Sequence, residues 1–179
     1  AVAGITHFVL FLWLNCTAPK KKWVVLFCVH FQIPFLSMEY KQTADNTIKR
    51  GAKKATYNKS EIHAVLDACE ICSVAFSING KSYVQPINFG RSEETLYMHG
   101  SLQNRMTNAL IENGEVCLTV FHLDAMKLTR SAFHHSVNYR SAVIFGKVRE
   151  LKTNEEKLEG LKAIINHFVP NRWEYCREP

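Results

Sequence analysis

Asn79-Gly80, set between two apolar runs, constrains this chain's fold more than any other pair of residues. Such a pair accepts the two positive-φ positions of a tight turn at little steric cost, so the flanking runs become adjacent antiparallel strands. Val74, Phe76 and Ile78 alternate on the way in, and the return runs from Tyr83 to Phe89 with Pro86 inside it. A proline within a strand marks an edge, a bulge or a place where the ladder opens for something else. This hairpin, with other short strands and with helices inserted between them, argues against a doubly wound parallel sheet.

The next stretch carries the chemistry. In Leu96-Tyr97-Met98-His99-Gly100-Ser101-Leu102-Gln103-Asn104-Arg105-Met106 a strand runs through a glycine into a helix N-terminus. Ser101 is the expected N-cap, and Leu102, Met106, Ala109 and Leu110 fall on one helical face. Free N–H groups and a partial positive charge at such a terminus suit a phosphate, and Arg105, one turn in from Ser101, can reach the same anion. Alone the signal is weak, because most helix ends are capped by side chains or water.

Around this stretch, Asn58 with Glu61 resembles a capping box that opens a helix over 59–70, with Ile62, Val65, Leu66 and Cys69 on one face. Residues 39–57 are polar and read as extended. A turn is expected over 90–94 and a β run over 116–123, while 130–135 is ambiguous. A long strand over 139–151 has Gly146 as its expected bulge. Thr153 with Glu156 opens a helix over 154–168, which Pro170 stops. The expected fold is mainly β, a small antiparallel barrel with peripheral helices.

Charge is uneven. The net charge is +6, but residues 1–37 hold Lys20, Lys21 and Lys22 and no acid, leaving 19 basic and 16 acidic residues elsewhere. That balance does not support nucleic-acid binding. The apolar runs before Met38 are too short to span a bilayer and are expected to lie outside the native domain, which is placed at 38–179; a membrane-associating hairpin is the alternative. The six cysteines form no dense framework, so they are read as reduced and the setting as cytoplasmic.

Other motifs carry less. Cys69-Glu70-Ile71-Cys72 closes a helix where a redox pair would open one, and zinc would need two further ligands, so buried free thiols are the preferred reading. His134-His135 in an extended chain point to opposite faces, which disfavours a shared metal ion. No metal site, hydrolase triad or glycine-rich nucleotide loop is expected.

The chain resembles the flavin-nucleotide-binding split-barrel proteins of the pyridoxamine-phosphate-oxidase-like superfamily, and within it the nitroimidazole-resistance-related group. The residues that carry the resemblance are 57–67, Pro86-Ile87-Asn88-Phe89-Gly90, Leu96-Tyr97-Met98-His99-Gly100-Ser101 with Arg105-Met106, then 130–141, and Val169-Pro170-Asn171-Arg172-Trp173. It implies a six-stranded antiparallel split β-barrel with a Greek key, a homodimer, and FMN between the subunits. By the resemblance, Gly100, Ser101, Arg105 and Met106 lie at the phosphate. Pro86, Ile87, Asn88 and Phe89 run along the isoalloxazine with backbone groups facing its edge. Asn138, Tyr139 and Arg140 approach from the partner or from the same cleft, and Arg172 and Trp173 close it. His99 is the catalytic candidate.

Two departures qualify this. Pyridoxamine phosphate oxidase proper has adjacent basic residues on the phosphate helix, where this chain has Met106, and a strand lysine where it has Phe89. Vitamin B6 synthesis is therefore not expected. Members also continue past Arg177-Glu178-Pro179 into a final strand, so a C-terminal truncation is expected. The implied function is an FMN-dependent reductase of small aromatic or nitro compounds. The alternative is a non-catalytic flavin- or haem-binding protein of the same barrel, with His99, His134 and His135 as axial-ligand candidates.

Overall fold

The computed structural model describes residues 38–177 in full, together with the backbone of three short N-terminal strands, β1 (Val2–Gly4), β2 (Phe8–Phe11) and β3 (Val24–Val29). The rest of the expected N-terminal extension lies outside the described residues. The fold is carried by β4 (Ile71–Ile78), β5 (Lys81–Ser92), β6 (Thr95–Ser101), β7 (Glu115–Lys127) and β8 (Ser136–Leu151). Three helices accompany them: α1 (Lys59–Asp67), α2 (Arg105–Asn113) and α3 (Asn154–Phe168). Across the sheet the order is β6-β5-β4-β7-β8. Three hairpin-connected strands with the fourth returning beside the first make a Greek key. The sheet curls into a half-barrel of five such strands, one fewer than expected, and the backbone of β2 and β3 pairs with both β6 and β8. No helix among the described residues is long and apolar enough to cross a membrane.

The hairpin forms as its turn chemistry demands: Asn79 and Gly80 sit at φ 51° and 75°, and Ile78 pairs with Lys81. Alternation then sorts the faces. Cys72, Val74 and Phe76 of β4, Val116, Leu118 and Val120 of β7, and Ala142 and Ile144 of β8 point inward and are buried. Phe89, Leu96, Met98, Ile62, Leu66, Met106 and Leu110 complete the core. Full burial of side chains this size stabilises the fold by roughly 1.5–3 kcal/mol each. On the other side α3 lies on β5, and Gly90 sets the spacing. A Cβ there would stand 2.4 Å from the Ile164 Cα, so only a bare backbone admits the helix.

Several expectations change. β5 continues through Ser92, and the turn follows at Glu93, whose φ is 50°. Gly146 pairs in register with Val116, and the bulge lies instead in β7, between Leu123 and Ala125. Asn104, not Ser101, caps α2, its side chain accepting from the Met106 N–H at 2.9 Å. Residues 39–57 are not simply extended. They fold around Asn46, whose side chain bonds Lys41 and Thr43, and they bury Tyr40 to 2% exposure. The capping box at Thr153 and Glu156 forms as expected.

Candidate functional site

The site begins where β5 changes partners. Ile71 to Ile78 pair with residues up to Asn88 of β5, whereas β6 pairs with β5 only from Phe89 to Ser92. Over Pro86, Ile87 and Asn88 the edge of β5 that faces β6 therefore has no ladder partner among the described residues. Proline fits such a stretch because it has no N–H to leave unpaired. Beyond the last ladder pair, side chains meet instead. Asn88 Nδ2 lies 3.1 Å from His99 Nε2. An amide nitrogen only donates, so His99 Nε2 accepts and the ring's proton sits on Nδ1. Burial pushes the His99 pKa below its ordinary value and favours this neutral ring.

After His99 the chain turns. Ser101 Oγ accepts from the Gln103 N–H at 3.1 Å, and the Ser101 carbonyl accepts from Asn104 N–H at 2.7 Å. Arg105 is the first residue of α2, not one turn in, and its guanidinium lies 4.4 Å from the centre of the Tyr83 ring on β5. That cation–π contact holds a full positive charge between the helix terminus and Tyr83, three residues before the open stretch of β5. Tyr83 is braced by Phe76, stacked at 5.4 Å. In the first turn of α2, Thr107 is fully buried and its hydroxyl has no partner among the described residues.

The other expected site residues divide. Phe89 and Met106 are fully buried in the core, so their side chains are withdrawn from any ligand and only backbone remains to offer. Ile87 points inward and packs against the core. Tyr139 stands on the outer face of the sheet beside Leu123, while Asn138 and Arg140 point the other way. Arg140 is tied up: Nε and Nη2 donate to Asp124, whose carboxyl those bonds hold below its ordinary pKa. Tyr139 lies near the start of β8, paired with Leu123, whereas β2 and β3 join β8 to β6 only at residues 148–151, so the sheet does not bring Tyr139 beside His99. Trp173 is half-buried against the core, its backbone N–H donating to Asn166 Oδ1, and Arg172 is exposed on the same 3-10 turn. Cys69, Cys72, Cys117 and Cys176 are free thiols. Among the described residues no three His, Cys, Asp or Glu side chains converge on a metal position.

Two features escaped sequence reading. The outer face carries an apolar strip, Val84 on β5, Ile71 on β4, Phe121 and Leu123 on β7 and Tyr139 on β8, all exposed. Pairing of Ala75 with Val84, Ile71 with Asn88, Ser73 with Thr119 and Leu123 with Tyr139 sets them on the same face as Asn88. The β7 bulge keeps Met126 on that face as well, opposite Val137. The second feature is a polar knot behind β5. Tyr40 donates to Glu94 at 2.6 Å, His63 Nε2 donates to Tyr40 at 2.7 Å, and Lys59 pairs with Glu94 at 3.1 Å. Arg91 Nε donates to Asp67 at 2.6 Å along one wall of a cleft of about 570 Å³ under α3. These partners lie far apart in the chain, so no periodicity or spacing announces them.

A family model described as pyridoxamine 5'-phosphate oxidase matches residues 58–179. Among solved structures the chain is similar to the flavocytochrome Anf3 from Azotobacter vinelandii, at 31% identity and a TM-score of 0.69, over 76% of this chain and 64% of that one. It is similar to the FAD and haem binding protein from Mycobacterium smegmatis at 30% identity and a TM-score of 0.63, over 68% of this chain and 59% of that one. It is also similar to a Bacteroides thetaiotaomicron protein named for 5-nitroimidazole antibiotic resistance, at 30% identity and a TM-score of 0.55, over 64% of this chain and 68% of that one. The chain thus spans less than two thirds of the length of the first two. No curated protein matches it.

Proposed function

Because the chain belongs to the pyridoxamine 5'-phosphate oxidase family, we propose that it binds FMN along the open stretch of β5 and, as a homodimer, reduces small aromatic or nitro compounds. One observation carries this reading. The unpaired edge at Pro86, Ile87 and Asn88, the Asn88–His99 pair, and the turn into α2 with Arg105 at its first residue lie consecutively along β5 and β6. The residues present suit a flavin. The first turn of α2, with Gly100 and Ser101 ahead of it, would hold the phosphate. Arg105 adds a full charge, and the orphaned Thr107 hydroxyl leaves a buried polar atom in the same turn. The backbone of residues 86–88 would meet the polar edge of the ring system. FMN also suits a phosphate turn with a single cation and no further clamp.

When bound, the flavin supplies the electrons of the reduction. The protein's own groups position and polarise. Asn88 fixes the His99 tautomer, and burial keeps the imidazole neutral, so its Nδ1–H can donate a hydrogen bond that orients and polarises a substrate oxygen or nitrogen. His99 is the catalytic residue of this reading.

The outer apolar strip favours a second copy as the missing half. An exposed patch of this kind marks an interface. A partner seated there would bring its own Tyr139 to the first copy's β5 edge, which no single sheet does. The setting is cytoplasmic in this reading, and the unit that carries the site begins near Met38.

A second reading is that the chain also binds haem. What favours it is that two structures similar at 30–31% identity are named as a flavocytochrome and as an FAD and haem binding protein.

Fluorescence titration with FMN tests the main reading. Arg105→Ala should weaken FMN by about 1.5–3 kcal/mol, the usual cost of losing a charge-assisted hydrogen bond. Unchanged FMN affinity in that variant would remove the phosphate turn from the site.

A further inference from the structure

We propose that Tyr83 is the positioning residue of the phosphate turn: its ring holds the Arg105 guanidinium at the start of α2 with every N–H donor left for the ligand's phosphate. The proposal rests on the FMN reading above. The Asn79-Gly80 turn sets it up, because the register of that hairpin pairs Phe76 of β4 with Tyr83 of β5. The two rings stack at 5.4 Å with 16° between their planes, and Phe76 is buried in the core. Tyr83 is thus pinned through its backbone by the sheet and through its ring by an aromatic neighbour, while it stays half-buried. Its hydroxyl has no hydrogen-bond partner among the described residues, so the ring face is what it offers.

Arg105 is unlike the other arginines of the strands and α-helices. Arg91 binds Asp67, Arg140 binds Asp124 and Arg149 binds Glu156. Arg50, Arg130, Arg172 and Arg177 are exposed on loops and turns. Arg105 is the first residue of α2 and makes no hydrogen bond or ion pair among the described residues. What holds it is the Tyr83 ring, whose centre lies 4.4 Å from the guanidinium carbon. A cation–π contact draws on the negative face of the ring and uses no N–H. All five donors of the guanidinium therefore remain for an anion, and a phosphate takes two of them side by side. An unbraced arginine loses more rotamer freedom when it closes on an anion than one held in place beforehand. Lys81 Nζ also approaches the ring, at 5.7 Å, from the exposed end of the hairpin. It is the weaker claimant, because its charge is farther away and more strongly hydrated.

Fluorescence titration with FMN and with riboflavin, which has the same ring system and no phosphate, separates this role from a merely structural one. Tyr83→Leu should weaken FMN about threefold to tenfold, the scale of one cation–π contact, and leave riboflavin unchanged. Tyr83→Phe keeps the aromatic face and should bind both as the wild type does. In an Arg105→Ala background, Tyr83→Leu should have no further effect on FMN. If Tyr83→Leu does not fold, Tyr83→Met, with its more adaptable side chain against Phe76, is read in the same way. Wild-type FMN affinity in Tyr83→Leu, beside a loss in Arg105→Ala, overturns the role of Tyr83 and leaves the phosphate turn standing. Equal weakening of FMN and riboflavin also overturns it, since the ring would then support the fold and not the cation. Unchanged FMN affinity in Arg105→Ala removes the phosphate turn and the role of Tyr83 with it. A wild-type chain that takes up neither ligand overturns the FMN reading itself.

Discussion

At the scale of single residues, Glu94 shows how much a local environment decides. Partial burial alone would raise its pKa. Hydrogen bonds from His63, Tyr40 and Lys59 outweigh that and carry it down to about 2, against an ordinary 4.5. A carboxylate depressed in the folded state contributes stability that is complete above its unfolded value and is lost as pH falls through its folded value. Stability should therefore fall between about pH 4.5 and pH 2 as Glu94 protonates. Glu94→Gln should remove much of that slope and cost about 1–2 kcal/mol at neutral pH, trimmed by the solvent that reaches the carboxylate. Urea melts across this range check it, and an unchanged acid slope in the variant would place the stabilisation elsewhere. None of this was legible in the sequence, because Tyr40, His63 and Glu94 meet only through tertiary packing. His99 entered as a candidate through the family resemblance, and its side chain lies just beyond the end of the β5–β6 ladder. Its Asn88 partner gained a role only once the register between β5 and β6 was known. Phe89 and Met106 are buried, Phe89 by strand alternation and Met106 on the apolar face of α2, so the motif marks their positions without offering their side chains.

At the scale of elements, the turns and caps with strong local chemistry formed where expected. Asn79-Gly80 closes the hairpin, Asn58 caps α1, and Thr153 with Glu156 boxes the start of α3. What failed were choices between near-equivalent local options. Ser101 and Asn104 are both good N-caps, and the tight turn that Ser101 makes with Gln103 and Asn104 passed the cap to the later residue. Gly146 was a plausible bulge, yet the register placed the irregularity beside Asp124. The contact between α3 and β5 yields a sharper test. With Ile164 backbone 2.4 Å from where a Cβ would sit, Gly90→Ala must push α3 away from the strand. The expected cost is about 1–3 kcal/mol, the usual range for overpacking. Chemical denaturation measures it, and a neutral substitution would mean that α3 does not pack this closely.

At the scale of the whole molecule, the sheet poses a problem that a single chain does not solve. Its catalytic candidate lies on β6, and the exposed Tyr139 lies at the start of β8, remote from the residues through which β2 and β3 join β8 to β6. In the proposed dimer, a second copy seated on the exposed apolar strip through Ile71, Phe121 and Leu123 would resolve this. Placing a charge there, as Phe121→Glu, should shift the protein from dimer to monomer in sedimentation and weaken flavin binding with it. A variant that stays dimeric with full flavin affinity would move the interface off this face. The small antiparallel barrel was legible because turn residues and alternation state it locally, while the Greek key came only with the family resemblance. The strip was not, since its members are single apolar residues on separate strands that only the sheet order assembles.

In the proposed function the open stretch of β5 and the turn into α2 form a flavin site. The most direct measurement is the visible absorption spectrum of the purified full chain, mixed with FMN and passed through gel filtration. Oxidised-flavin bands should travel with the protein at close to one flavin per chain. Protein that emerges colourless at FMN concentrations well above those of the chain would contradict it.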